Sequence, residues 1–210
     1  MQIWDVSPEL DGVIPFIQWP REKNIVVSLA HTGATLEQTR AGVDAGIALV
    51  THLYDTFDVA QQVDPGVYPA RITDYIQIED SLNFEIVHGV QVHPLLIEKK
   101  LRCKGIEWVI FVTNSLQGSG NPPGIYDGLA DGEQVEVSVD RGMRRVSDDG
   151  LSASCLTQLQ SFRNAVWVFG LSIREASILS SRNPARILGL NKGILDYGVN
   201  GDLILLYQNF

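Results

Sequence analysis

Short apolar, β-branched runs alternate along this chain with helix-forming segments, and each run ends at a polar or ionisable residue. That alternation is the pattern of βα units feeding a parallel sheet. It predicts strands at Gln2–Val6, Asn24–Ala30, Ile47–His52, Phe84–His88 and Glu107–Thr113. The second is almost wholly apolar before it reaches His31, as expected of a strand covered on both faces. Thr35 with Gln38 predicts a capping box ahead of a helix that Gly46 terminates, and Pro94 suits the first turn of a helix over Leu95–Lys104. After Thr113 a Gly, Ser and Pro-rich loop, Ser115–Gly124, leads into a predicted β-hairpin, Gln134–Val139 and Met143–Val146, around Asp140-Arg141-Gly142. Helices over Ser154–Phe169 and Ile173–Leu188 follow, the second opened by Ser172 with Glu175, and a last strand is predicted at Asp202–Tyr207.

With 210 residues, 45% of them apolar, the chain can bury a substantial core as one globular domain. A net charge of -9 argues against nucleic acid as a partner, and no helix collects Lys and Arg on one face. The apolar stretches are strand-length, and Met1-Gln2-Ile3-Trp4-Asp5 lacks the basic start and apolar core of a signal peptide. The expectation is a soluble, cytoplasmic protein with no membrane partner. Cys103 and Cys155 fall in predicted helical segments without CxxC spacing, so they are expected to be reduced.

A closed (β/α)8 barrel needs eight strands and at least about 200 residues, and five strands do not close one. Catalytic residues of such folds project from the carboxyl ends of the strands, where His31, His52, His88 and Asn114 lie. All four histidines of the chain, His93 included, fall at or just beyond strand ends. Two histidines on adjacent strands can share one zinc or similar divalent ion, but a catalytic zinc usually takes three protein ligands, and no carboxylate is compelled to be the third. Spacing leaves two readings of His31 and His52 open: metal ligands, or hydrogen-bonded residues of a barrel mouth without metal. His88 reads as a polar pocket residue and His93 as a helix-start residue.

Ala30-His31-Thr32-Gly33-Ala34-Thr35 and Thr51-His52-Leu53-Tyr54 resemble the two histidine motifs of N-acetylglucosamine-6-phosphate deacetylases. The likeness continues through Asp64-Pro65-Gly66, His88–Pro94, Val112-Thr113-Asn114, Leu151–Thr157, Phe162–Val166, Asn183–Leu190 and Gly201-Asp202-Leu203, and Val6-Ser7-Pro8-Glu9 is similar to the family's Ala-Pro-Glu segment. The resemblance implies an α/β fold: a partial, TIM-barrel-like amidohydrolase domain over residues 1–192, with barrel strands four to eight and a hairpin insertion near 133–147. Residues 193–210 are then a β-strand tail, a remnant of the family's small β-domain.

The resemblance also implies the chemistry. His31 and His52 match the histidines that, with a Glu from an early strand, hold a catalytic divalent metal such as zinc; that Glu is expected upstream of Met1. Tyr54, Asp55, His88 and Gln91 match substrate-binding positions for an amino sugar phosphate, and Asn114 takes the place of the family's catalytic Asp. An amide cannot accept the proton that carboxylate takes. Gln91 replaces a substrate-binding His, His88 an Asp, Val63 a phosphate-gripping Arg, and Asp55-Thr56 an Asn-Ala pair. The expectation is a deacetylase-like chain that is inactive or weakly active alone, its open strand edge covered by self-association or by a complementary chain. Two alternatives stand beside it: a sugar- or metabolite-binding module without chemistry, and half of a split amidohydrolase.

Overall fold

The computed structural model describes residues 2–55, 57, 64–87, 89–116, 118–128 and 130–207. All five predicted strands form, as β1 (Ile3–Val6), β2 (Val26–Leu29), β3 (Ile47–Val50), β4 (Asn83–Ile86) and β5 (Val109–Phe111). They lie in chain order in one sheet, every neighbouring pair parallel, so β1 and β5 are its edges. Val27, Leu29, Val50, Phe84, Ile86 and Phe111 anchor the core beneath the covering helices.

Between strands run α1 (Val13–Phe16), α2 (Gln18–Glu22), α3 (Leu36–Ala45), α4 (Ile72–Ile78) and α5 (Pro94–Lys104). Thr35 and Gln38 form the expected capping box of α3. Gly46 ends that helix at φ 126°, and a side chain there would collide with the Arg21 guanidinium stem, whose head donates to the Ala45 carbonyl at 3.0 Å. Pro94 opens α5 as expected, with His93 Nδ1 accepting from the Leu95 amide. Sequence reading assigned nothing to α1, α2 and α4, which are too short for a helical period to show.

After β5 the chain leaves the parallel sheet for an antiparallel one of β6 (Gly124–Asp127), β7 (Gln134–Ser138), β8 (Gly142–Arg145) and β9 (Leu151–Ala153). The predicted hairpin is β7–β8, and the sheet has its own small core of Val135, Val137, Met143 and Ala153. Helix α6 spans Gln158–Trp167, so Cys155 lies before the helix and not within it as expected. The cap is Thr157, whose hydroxyl accepts from the Gln160 amide.

The predicted helix Ile173–Leu188 forms as α7 (Ile173–Ser177), a π-helical turn (Ile178–Arg182) and α8 (Asn183–Ile187). Buried Asn183 explains its own motif: Nδ2 donates to the carbonyls of Ile106 and Val109 at 2.8 and 2.7 Å, tying this helix to the entry of β5. The predicted strand Asp202–Tyr207 does not form. Its β-prone side chains Leu203, Ile204 and Leu205 are exposed with no neighbouring strand, and a strand exists only through a ladder with a partner. No helix among the described residues is long and apolar enough to cross a membrane.

Candidate active site

Asp5 lies in β1, Ser7 just beyond its end and Glu9 in the turn that follows. Each reaches the chain just past the end of β2 or β3. Asp5 Oδ1 accepts from Thr51 Oγ1 at 2.6 Å, and Thr51 Oγ1 lies 2.5 Å from Ser28 Oγ. Since Thr51 has one proton and gives it to the carboxylate, Ser28 is the donor in the second bond. Ser7 Oγ donates to the Ala30 carbonyl at 3.0 Å. Glu9 takes Thr32 Oγ1 at 2.6 Å and the Gly33 amide at 2.8 Å, one on each carboxylate oxygen. These bonds hold its carboxyl below the usual range despite the opposing effect of burial.

Between these anchors stand the two histidines. His31 follows β2 and His52 follows β3, with backbone φ of 45° and 28°. Asn114, beyond β5, is at φ 48° and Tyr54 at 81°. Left-handed backbone costs L-residues about 1–2 kcal/mol each, and such positions gather where surrounding structure over-determines them, often at functional sites. Here four of the six non-glycine residues with positive φ among the described residues lie just beyond the carboxyl ends of parallel strands.

The rings meet edge to face, with Nε2 of His31 3.1 Å from Nε2 of His52. Two nitrogens on one tetrahedral zinc stand about 3.3 Å apart, given Zn–N bonds of about 2.0–2.1 Å, so the pair is spaced to share an ion. Asp55 Oδ2 lies 3.7 Å from His52 Nδ1, itself buried and without a hydrogen bond among the described residues, the place where a carboxylate supports a metal-bound imidazole. Burial, with the neighbouring His31 adding to it, lowers the His52 pKa against the pull of Asp55 and Asp5, and so favours the neutral ring a ligand needs. The fit stops at two ligands: no third His, Cys, Asp or Glu among the described residues joins them in a metal-holding group.

Sequence reading gave no role to Asp5, Ser7, Thr51 or Glu85. Glu85 on β4 is pushed up to about 7 by burial, with the Asp5 charge adding, so it holds a proton near neutrality. Tyr54 turns its ring onto Lys100 of α5, whose Nζ is 5.4 Å from the ring centroid. Its hydroxyl is buried without a partner among the described residues, and burial pushes it to about 12. Gln91 is half-buried in the loop before α5, with Oε1 unpartnered among the described residues. His88 and Val63 lie outside the described residues. Beside His31, a pocket of about 370 Å³ opens between β1 and α1, lined mainly by Val6, Leu10, Val13 and Phe16.

No protein-family model matches the chain. An N-acetylgalactosamine-6-phosphate deacetylase of Escherichia coli O157:H7 is 30% identical over 93% of this chain and 49% of its own length. An N-acetylglucosamine-6-phosphate deacetylase of Lysinibacillus sphaericus is 30% identical over 97% of this chain and 51% of its own. The solved N-acetyl-D-glucosamine-6-phosphate deacetylase of Mycobacterium smegmatis superposes with a TM-score of 0.87 at 27% identity, covering all of this chain and 54% of that one in its complex with N-acetyl-D-glucosamine-6-phosphate.

Over nearly its whole length the chain is similar to N-acetylglucosamine-6-phosphate deacetylases. It spans about half the length of the curated relatives it matches. The deacetylase of Thermotoga maritima matches with a TM-score of 0.85 at 25% identity. An enamidase of the amidohydrolase superfamily, at 16% identity and a TM-score of 0.55, shares the α/β fold alone.

Proposed function

We propose that the five parallel strands are part of an amidohydrolase-type (β/α) barrel, strands four to eight in the family's order, and that His31 and His52 supply two ligands of its metal. The chain is a deacetylase-like protein for an N-acetylated amino sugar phosphate, inactive or weakly active by itself. The observation that carries this reading is the convergence of two Nε2 atoms to 3.1 Å at the carboxyl ends of adjacent parallel strands. The chemistry such an ion supplies when bound is activation of a water for attack on an acetamide carbonyl. His31 and His52 would hold it, Asp55 would support His52, and Tyr54 and Gln91 stand on the loops a sugar would approach. Asn114 can hydrogen-bond to a substrate but cannot take a proton, which forfeits the roughly 10²–10⁴-fold that general acid–base catalysis contributes.

One observation favours completion by a further polypeptide. Among the described residues β1 pairs on one side only, and its Trp4 stacks on Phe16 and meets Trp19 at a tilt, the two being 42% and 48% exposed. An open edge beside an exposed aromatic face is a surface for another copy or for a chain resembling the rest of the deacetylase.

Elemental analysis of the purified protein and of its His31→Ala/His52→Ala variant tests the metal reading. Zinc near one per chain, lost in the variant, supports it. No zinc in the parent protein, or equal zinc in both, refutes it. Co-expression with a chain matching the other half of a deacetylase, followed by assay on N-acetylglucosamine-6-phosphate, tests whether hydrolysis needs both parts.

A further inference from the structure

We propose that Asp5, Ser7 and Glu9 are positioning residues: through Thr51, Ala30, Thr32 and Gly33 they set both imidazoles Nε2 to Nε2. The inference deepens the reading above by naming what holds the histidine pair, and rests on it only for the pair's use.

Five observations carry it. Each histidine sits on left-handed backbone that an L-residue keeps only when its neighbours are fixed. The residues fixed are the immediate neighbours: Thr51 before His52, Ala30 before His31, and Thr32 and Gly33 after it. Every anchor comes from β1 or the turn just after it and spans 23 to 46 residues of sequence, so none is a local turn bond. Thr32 Oγ1 also accepts from the Ala34 amide at 3.0 Å, extending the clamp to the start of α3. Pro8, between Ser7 and Glu9, is seated against Gly42 of α3, where an added Cβ would lie 3.2 Å from its ring, so the anchoring turn is backed by a helix.

The hydrogen bond between the rings has a direction. The His52 Nδ1 facing Asp55 suits an N–H there, leaving His52 Nε2 as acceptor and His31 Nε2 as donor. The two rings therefore carry opposite tautomers.

The test is ring ¹⁵N chemical shifts of histidine-labelled, metal-free protein at mildly alkaline pH. The parent protein is expected to show a protonated Nε2 in His31 and an unprotonated Nε2 in His52. Glu9→Gln and Asp5→Asn are expected to lose that distinction, both rings averaging between tautomers, while circular dichroism and the unfolding transition stay cooperative. Thr51→Ser keeps the anchoring hydroxyl and is expected to restore the parent pattern; Thr51→Val removes it and is expected not to. This pair decides the matter if an acid-to-amide variant unfolds. Identical tautomer patterns in the parent, Glu9→Gln and Thr51→Val overturn the proposal, as do averaged tautomers in the parent. A cobalt(II) titration of the same proteins separates the two readings. Absence of cobalt binding by the parent refutes the metal reading and leaves the tautomer result standing. Where cobalt binds, Glu9→Gln is expected to weaken it about 10–100-fold, the usual effect of losing an outer support.

Discussion

Lys100 is wholly buried on α5, its Nζ donating to the Thr73 carbonyl at 3.4 Å and lying over the rings of Tyr54 and Phe84. Burial, with Lys99 adding, lowers its pKa from 10.5 to about 7. That fall disfavours the charged folded state by on the order of 4–5 kcal/mol relative to the unfolded chain. The sign follows from proton counting. Between about 7 and 10.5 the unfolded chain binds more protons than the folded one, so stability rises with pH across that window; below it the full cost is present. Between pH 7 and pH 9 the gain from this one side chain is about 2 kcal/mol. Lys100→Met keeps the stem and removes the charge. Urea unfolding of both proteins at pH 7 and pH 9 is expected to show the variant more stable at the lower pH, with the gap closing by about 2 kcal/mol at the higher. Titrating neighbours common to both proteins cancel in that difference. A gap that stays constant would show that Lys100 keeps its proton in the folded state across this range, solvated by entering water, and would refute the reasoning.

Asn183→Ala leaves the buried Val109 carbonyl and the partly buried Ile106 carbonyl without the Asn183 donor, and is expected to cost about 2–4 kcal/mol in urea unfolding. Trp19→Glu puts a charge into the aromatic face at the β1 edge; if that face is the seat of a partner, sedimentation is expected to shift toward monomer, and unchanged sedimentation of an oligomer would place the contact elsewhere. Asn114→Asp restores a group able to exchange a proton, and in the co-expressed assembly it is expected to raise amide hydrolysis by about 10²-fold or more. No change in turnover would remove Asn114 from the reaction.

The parts of this fold that were legible are those written in local rules. Capping pairs at Thr35/Gln38 and Ser172/Glu175 are decided within one turn, and both form as read. The buried strands announced themselves because parallel strands covered on both faces must be continuously apolar. What was not legible depends on partners remote in sequence. Asp202–Tyr207 has the composition of a strand and no strand to join. The histidines were visible as residue types at strand ends, whereas Asp5 looked like an ordinary polar position and Ser7 and Glu9 were visible only as part of a family-like segment without a role, because their meaning lies in how the ends of β1, β2 and β3 are brought together. Lys100 was hidden for a related reason: in a run of Lys99, Lys100 and Lys104 nothing local tells which one the fold turns inward.

Among the described residues the antiparallel sheet joins the rest through a neck at Ser115 and Ser154. Ser115 bridges Ser154, the Ser154 amide donates to the Asn114 carbonyl, and Ser115 Oγ donates to the Leu156 carbonyl, so the excursion departs and returns side by side. Its core is separate from that of the parallel sheet. The sheet is therefore a graftable appendage: the path from β5 to α6 is already spliced at Ser115 and Ser154, and this is the natural seam for deleting the sheet or exchanging it for a shorter loop. Because Asn114 stands against that seam, whatever replaced the sheet would also have to hold the carboxyl end of β5 in shape.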